Sequence, residues 1–430
     1  MSAPGDSDTS RLGEPVERLL RLGRILAGCP GAPDEDWAAI AGLARGQGLS
    51  PLLFWRLNEG ASANEQGQGV PGKVMDKLRA DLFAAAAQGL SAEQQLVTVL
   101  AALSEAKVPA MVIKGAALGA FYPDAALRLY GDIDIMVPEV QLDAAERALN
   151  RLGYQGYASQ GWWLDHFHHL PPMVQDGGGL PIELHWRLDY EEEKGRLPVD
   201  DLWARAASWT IQDQTALRLD MVDMVLHLCR HAVVQHRVHG AFRSLCDLAQ
   251  VTEEWKDAQW EALARRAVDY GLARPTYLML VLVEQVLNRP VPARTMEALR
   301  PAGPIPGPQE LMRQLVGSGG DRPATISVGA VQAAVGGPPA ARLRHLMRSL
   351  FLPRDGMAMV YDIPPDSPRI WLAYLWRPID LLRRYGLSAW RALRGEQGAQ
   401  EAWRREVWLE RWLRAVPDLD EADDERPEWT

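Results

Sequence analysis

At 430 residues, with 47% of them apolar, 24% charged and a formal net charge of −10, the chain can bury the cores of about two or three domains. The acidic balance argues against a large nucleic-acid footprint, which takes clustered Lys and Arg. The three cysteines, Cys29, Cys229 and Cys246, make neither a disulfide framework nor a thiolate metal site, a usage that suits a reducing cytoplasm.

The polar start MSAPGDSDTSRLGEP has no signal-peptide run, and no stretch of about 18 or more apolar residues reads as a membrane span. Residues 1–14 read as a disordered tail and 15–106 as a helical region. RLLRLGRILAG, DWAAIAGLARGQGL and SPLLFWRLNEG repeat apolar residues at helical spacing, and after a Gly/Gln-rich break KVMDKLRADLFAAAAQGLSAEQQLVTVLAALSEA predicts one or two amphipathic helices. The pattern then changes. Over 107–190, VPAMVIK predicts a strand, Gly115–Tyr122 a short helix, GDIDIMV a second strand, and VQLDAAERALNRLGY a helix stopped at Gly153. HHLPPMVQ, DGGG and LPIELHWRL then predict a hairpin. Helices return over 198–300. Residues 300–340, rich in Pro and Gly, read as a linker, 341–414 as a Trp/Arg-rich helical region and 415–430 as an acidic tail. The expected class is α+β, a small α/β core flanked by mainly helical regions.

Within the core, Gly131-Asp132-Ile133-Asp134-Ile135 alternates acid with isoleucine. In a strand both aspartates share one face and the isoleucines the other, so the strand should be half-buried. Two carboxylates about 4 Å apart repel by roughly 4 kcal/mol at an effective dielectric near 20. A divalent cation neutralises such a pair, and Mg²⁺ suits the role because it is held by one or two carboxylates plus substrate phosphates. Glu183 and His185 project to one side of the second hairpin strand. If that strand lies beside GDIDI, Glu183 completes a carboxylate triad able to hold two metal ions. Upstream, Lys114 and Gly115 sit between the first strand and its helix. There the glycine lets the backbone approach a phosphate, the helix start offers N–H groups, and the lysine adds a full charge. The ordered set reads as a metal-dependent phosphate site.

The run KGAALGAFYPDAALRLYGDIDIMV, continued by AAERALNRLGY and IELHWRL, resembles the uncharacterised nucleotidyltransferase family of the DNA polymerase β superfamily. SPLLFWRLNE, LHLCRHAVVQHRVHGAFRSLCDLAQV and YLWRPIDLLRRY extend the likeness over most of residues 15–395. The resemblance implies a polymerase-β-like fold and Mg²⁺-dependent transfer of a nucleoside monophosphate from an NTP to a small-molecule or protein acceptor, with release of pyrophosphate. By position it assigns triphosphate to Gly115, Mg²⁺ to Asp132 and Asp134, and the role of third acid to Glu183. Many polymerase-β-like enzymes carry Gly-Ser at the helix start; this chain has Lys114-Gly115-Ala116, without the hydroxyl. A non-catalytic scaffold of the same fold is the alternative, and three clustered acids argue against it.

Arg128 is placed to reach a phosphate or to make a structural ion pair, and Tyr130 to stack on a base or to pack. His185 is placed to orient a phosphate or to act as a base. His166, His168 and His169 read as structural. His227 and His231, one turn apart with His236 and His239 beyond, lack a third zinc ligand; they read as a polar stripe between helices or the wall of an acceptor pocket. Arg243 and Asp247 read as an intrahelical pair. The mixed aromatics and arginines of residues 369–394 suit peripheral membrane contact or packing on the catalytic domain, and packing is the favoured of the two.

Overall fold

The computed structural model describes residues 14–29, 31–32, 35–59, 69–156, 164, 167–189, 197–236, 238–316, 347, 350–361, 363–364, 366–383, 407–409 and 412–413. Residues 1–13 of the expected tail, 317–340 of the expected linker, the acidic tail, His166 and residues 384–394 of the Trp/Arg stretch lie outside them. The chain divides into two compact units, Met1–Gly156 with Trp163–Arg300, and Tyr157–Trp162 with Pro301–Thr430.

The first unit opens with α1 (Glu14–Leu26), α2 (Trp37–Gly46), α3 (Ser50–Glu59) and α4 (Gly72–Glu105). The last is one unbroken helix of 34 residues. There follow β1 (Met111–Val112), the one-turn helix α5 (Ala116–Gly119), β2 (Ile133–Met136), α6 (Leu142–Arg151), β3 (Tyr154–Gln155), β4 (Val174–Gln175) and β5 (Ile182–His185). α6 forms where LDAAERALNR places Leu142, Ala145, Ala148 and Leu149 on one buried face. It ends two residues before Gly153, which takes φ +89°.

The chain then adds α7 (Val199–Arg205) and the hairpin β6 (Ala207–Ile211) to β7 (Gln214–Arg218). The helices α8 (Met221–Arg230), α9 (Phe242–Val251), α10 (Asp257–Asp269), α11 (Ala273–Leu287) and α12 (Ala293–Leu299) complete the unit. The main sheet runs β5-β2-β1-β7-β6. β2 pairs parallel with β5 and antiparallel with β1, and β7 joins β1 in parallel. The α/β core with helical flanks is as the sequence predicts, but the sheet takes two strands, β6 and β7, from a stretch read as helical. β2 also differs from expectation. All four of its residues are buried, so the acid face as well as the isoleucine face is covered.

Two glutamines of α4 tie the segments that lead into β2 and β5. Gln88 Nε2 donates to the Tyr130 carbonyl at 3.1 Å. Gln95 closes a two-way bridge with Leu180, donating to its carbonyl at 2.6 Å and accepting from its N–H at 2.9 Å. A side chain at Gly179 (φ +108°) would come within 2.9 Å of Gln95 Oε1, so glycine permits the approach.

In the second unit, α13 (Pro308–Val316) precedes α14 (Arg354–Tyr361) and α15 (Ile370–Leu381). Met357 and Ala358 of α14 pack on Ile370 and Ala373 of α15. The Tyr374 hydroxyl donates to the Leu352 carbonyl at 2.7 Å and the Tyr361 hydroxyl to Asp380 at 3.1 Å. One side of α15 therefore packs, but on α14 of its own unit, where the sequence favours packing on the catalytic domain. Trp371, Leu372, Leu375, Trp376, Ile379 and Leu382 are exposed. No helix among the described residues is long and apolar enough to cross a membrane.

Candidate active site

Parallel pairing sets Asp134 of β2 level with Glu183 of β5, and Ile133 level with Ile182. Level residues of paired strands project to the same face, so the two carboxylates stand side by side while the isoleucines enter the core. On the other side of β2, the antiparallel register with β1 delivers the chain to Lys114 beside the same carboxylate. Lys114 Nζ lies 3.0 Å from Asp134 Oδ1. His185, two residues beyond Glu183 and so on its face, places Nε2 2.9 Å from Asp134 Oδ1 and 3.5 Å from Glu183 Oε2.

Asp134 is 1% exposed, and two donors converge on its Oδ1. Its Oδ2 is buried without a hydrogen-bond partner among the described residues. An unsatisfied buried carboxylate oxygen is costly unless something binds it. Ligand atoms of Asp134, Glu183 and His185 fall within 4.8 Å of one another. Two carboxylates and an imidazole, with one carboxylate oxygen free, fit a divalent cation.

The electrostatics separate the acids. Burial alone would raise the Asp134 pKa, yet Lys114 and His185 hold it well below the usual carboxylate range. Asp132 precedes β2; burial, then repulsion from Asp134, raises its pKa. Glu183 is opposed by burial but held below its ordinary value by His185 and His169. Burial would lower the pKa of His185 and of Lys114; the acids outweigh it and raise both.

Gly115 adopts φ +55° and ψ −110°, a conformation that side chains resist. The Tyr130 ring lies 3.4 Å from where a Cβ would stand, so this tyrosine packs over the turn. The helix it opens, α5, is one turn long, shorter than the sequence predicts.

Of the residues singled out in the sequence, the structure brings Lys114, Asp134, Glu183 and His185 together beside the Gly115 turn, while Asp132 feels their charges but contributes no ligand atom to the cluster around Asp134. Arg128 goes elsewhere. Its guanidinium donates to Asp247 through Nε (3.0 Å) and Nη2 (2.8 Å), and Tyr122 donates to the same carboxylate at 2.7 Å. Of the two readings of Arg128, phosphate contact and structural ion pair, the structure shows the ion pair, buried, with its field reaching Asp132. Asp247 is thus not paired within its own helix. Arg243 donates instead to the Leu129 carbonyl at 3.2 Å.

His169 reads as structural in the sequence, but the structure puts it beside the site. It bridges His185 across the hairpin, with ring centroids 5.0 Å apart, and its Nδ1 lies 3.9 Å from Glu183. Counting back across the DGGG turn from His185 would have found it. His227 and His231 of the helical region also belong to this neighbourhood. Burial lowers the pKa of both well below its ordinary value, followed by the Lys114 charge, and Asp134 opposes. Both ring nitrogens of His227 lack a hydrogen-bond partner among the described residues.

No protein of curated function matches the sequence. Among solved structures, the antibiotic-resistance factor ANT(2'')-Ia, the subject of a solution study of substrate-regulated conformation dynamics, is similar at 14% identity and a TM-score of 0.32. The match covers 42% of this chain and 92% of that one. Residues 33–288 match a protein family described as uncharacterised nucleotidyltransferase. That span is more than half of the chain and holds every residue gathered around Asp134, so the protein belongs to the uncharacterised nucleotidyltransferase family.

Proposed function

We propose that the protein transfers a nucleoside monophosphate from an NTP to a hydroxyl or comparable nucleophile on a small-molecule or protein acceptor. The acceptor oxygen would bond to the α-phosphorus as the bond to the β-bridging oxygen breaks, and pyrophosphate leaves with that electron pair. The observation that carries the reading is the level pair of Asp134 and Glu183, with Asp134 Oδ2 free, beside the Lys114–Gly115 turn.

Asp134 and Glu183, with Asp132 nearby, would hold Mg²⁺, as one ion or two, and His185 stands within reach of the same point. When bound, the cation would neutralise charge on the phosphoryl oxygens and orient the leaving group. The remaining work falls to the chain itself. His185 and Lys114 fix the Asp134 carboxylate. Glu183, ionised and the more exposed of the level pair, is suited to accept the acceptor's proton. The Gly115 turn leaves room for phosphate oxygens to approach backbone, and Lys114 supplies positive charge to that side.

The test is NTP binding and pyrophosphate release with Mg²⁺ for each common NTP, on the wild type and the Asp132→Asn/Asp134→Asn variant. Mg²⁺-dependent binding or turnover reduced at least about 100-fold in the variant supports the reading. Absence of NTP binding by the wild type would favour a non-catalytic scaffold, and equal binding by both proteins would place any nucleotide site elsewhere.

A further inference from the structure

We propose that the exposed face of α15 lies in the surface of an anionic bilayer, making this a peripheral membrane protein. Trp371, Leu372, Leu375, Trp376, Ile379 and Leu382 are spaced along the chain so that a helix gathers them on one side. Their exposures run from 43% at Trp376 to 74% at Leu375. The opposite side, Ile370 and Ala373, is already buried against α14. The helix thus leaves one apolar face in water, an area on the order of several hundred Å² and more than singly scattered surface residues explain.

The charges say what covers it. Arg369, Trp376 and Arg383 recur every seven residues and so line one edge of the face. Both arginines are exposed, and the Arg383 guanidinium sits 5.7 Å from the centre of the Trp376 ring. The acid of this helix, Asp380, is turned to the Tyr361 hydroxyl. Apolar side chains, indole rings and exposed arginines on one face match the acyl boundary, the interfacial zone and the anionic headgroups of a bilayer. A second copy packed antiparallel on this face would set basic edge against basic edge. A 12-residue helix is too short to cross a bilayer, which takes about 20 residues, so it lies along the surface. Because the whole chain is acidic, attraction to such a surface is local to this face and screened by salt.

Flotation of the full chain with vesicles tests the proposal, using phosphatidylcholine alone and with about 30% phosphatidylglycerol. The variants are Leu375→Glu, at a position already in water, and Arg369→Gln/Arg383→Gln, which keeps the apolar face. The wild type is expected to float with the anionic vesicles, Leu375→Glu to float about tenfold less, and the double variant to lose the preference for anionic lipid. Absence of wild-type flotation at low salt overturns the proposal, as does equal flotation of wild type and Leu375→Glu. A self-associating wild type that Leu375→Glu returns to monomer, without flotation, overturns it in favour of an interface between copies.

Discussion

The two oxygens of Asp134 have different tasks: Oδ1 is saturated by Lys114 and His185, and Oδ2 is open. Asp134→Asn is therefore expected to lower transfer more than Glu183→Gln, because it also takes from Lys114 and His185 the carboxylate they share; single-turnover rates compare them. Gly115→Ala puts a side chain where ordinary van der Waals space exists but the backbone does not allow it. We expect a loss of about 1–3 kcal/mol in urea unfolding, together with weaker NTP binding. Removing one partner of the buried Arg128–Asp247 pair, as in Asp247→Ala, should cost about 3–5 kcal/mol in the same measurement. An Arg128→Leu/Asp247→Leu variant should recover part of it. Lys114, Gly115, Asp132, Asp134, Glu183 and His185 were all legible as a sequence pattern because they lie on short strands with known side-chain alternation or in the turns directly beside them. The partner of Arg128 was not, since Asp247 is 119 residues away and only the packing of α9 on the core brings it near.

Strands and turns explain what was missed among the elements. The β6–β7 hairpin turns at Gln212-Asp213, with Gln212 at φ +51°. That turn ordinarily calls for Asn or Gly, so the hairpin left no turn signal and its short strands passed as helix ends. The histidines brought together by the His169–His185 pairing and by α8 set a pH dependence. Burial lowers the pKa values of His168, His169, His227 and His231 from 6.5 and so favours their neutral forms in the folded protein. The unfolded chain protonates them near that value and so binds more protons, which makes stability rise with pH. His185 opposes them, because its pKa is raised and its contribution fades as pH climbs through the raised value. His236, also lowered by burial, acts with the four, so stability should fall as pH drops from about 7 to 5, by about 1.4 kcal/mol per pH unit for each histidine protonated only when unfolded. Urea midpoints across that range check it, and His227→Leu should flatten the profile.

At the scale of the molecule, the family match, the sheet and the site all lie in the first unit, and the second unit carries the uncovered helix face. Ligand binding should therefore register as global stabilisation of the first unit. Mg²⁺ with NTP at about 100 times its Kd is expected to add about 2.7 kcal/mol. A thermal shift seen in the wild type and absent from Asp134→Asn would show it, and chelator should reverse it. Leu375→Glu should keep the shift in full.

The two glutamines of α4 make that helix a timing element. Gln88 and Gln95 stand two turns apart, so both address the sheet only while the turns between them keep phase. One alanine inserted after Leu90 would swing Gln95 by about 100° away from Leu180. Helicity by circular dichroism should survive almost unchanged, while β5, with Glu183, loses its alignment to β2. A lesion in α4, touching none of the acids around Asp134, would then silence the thermal response to Mg²⁺ and NTP.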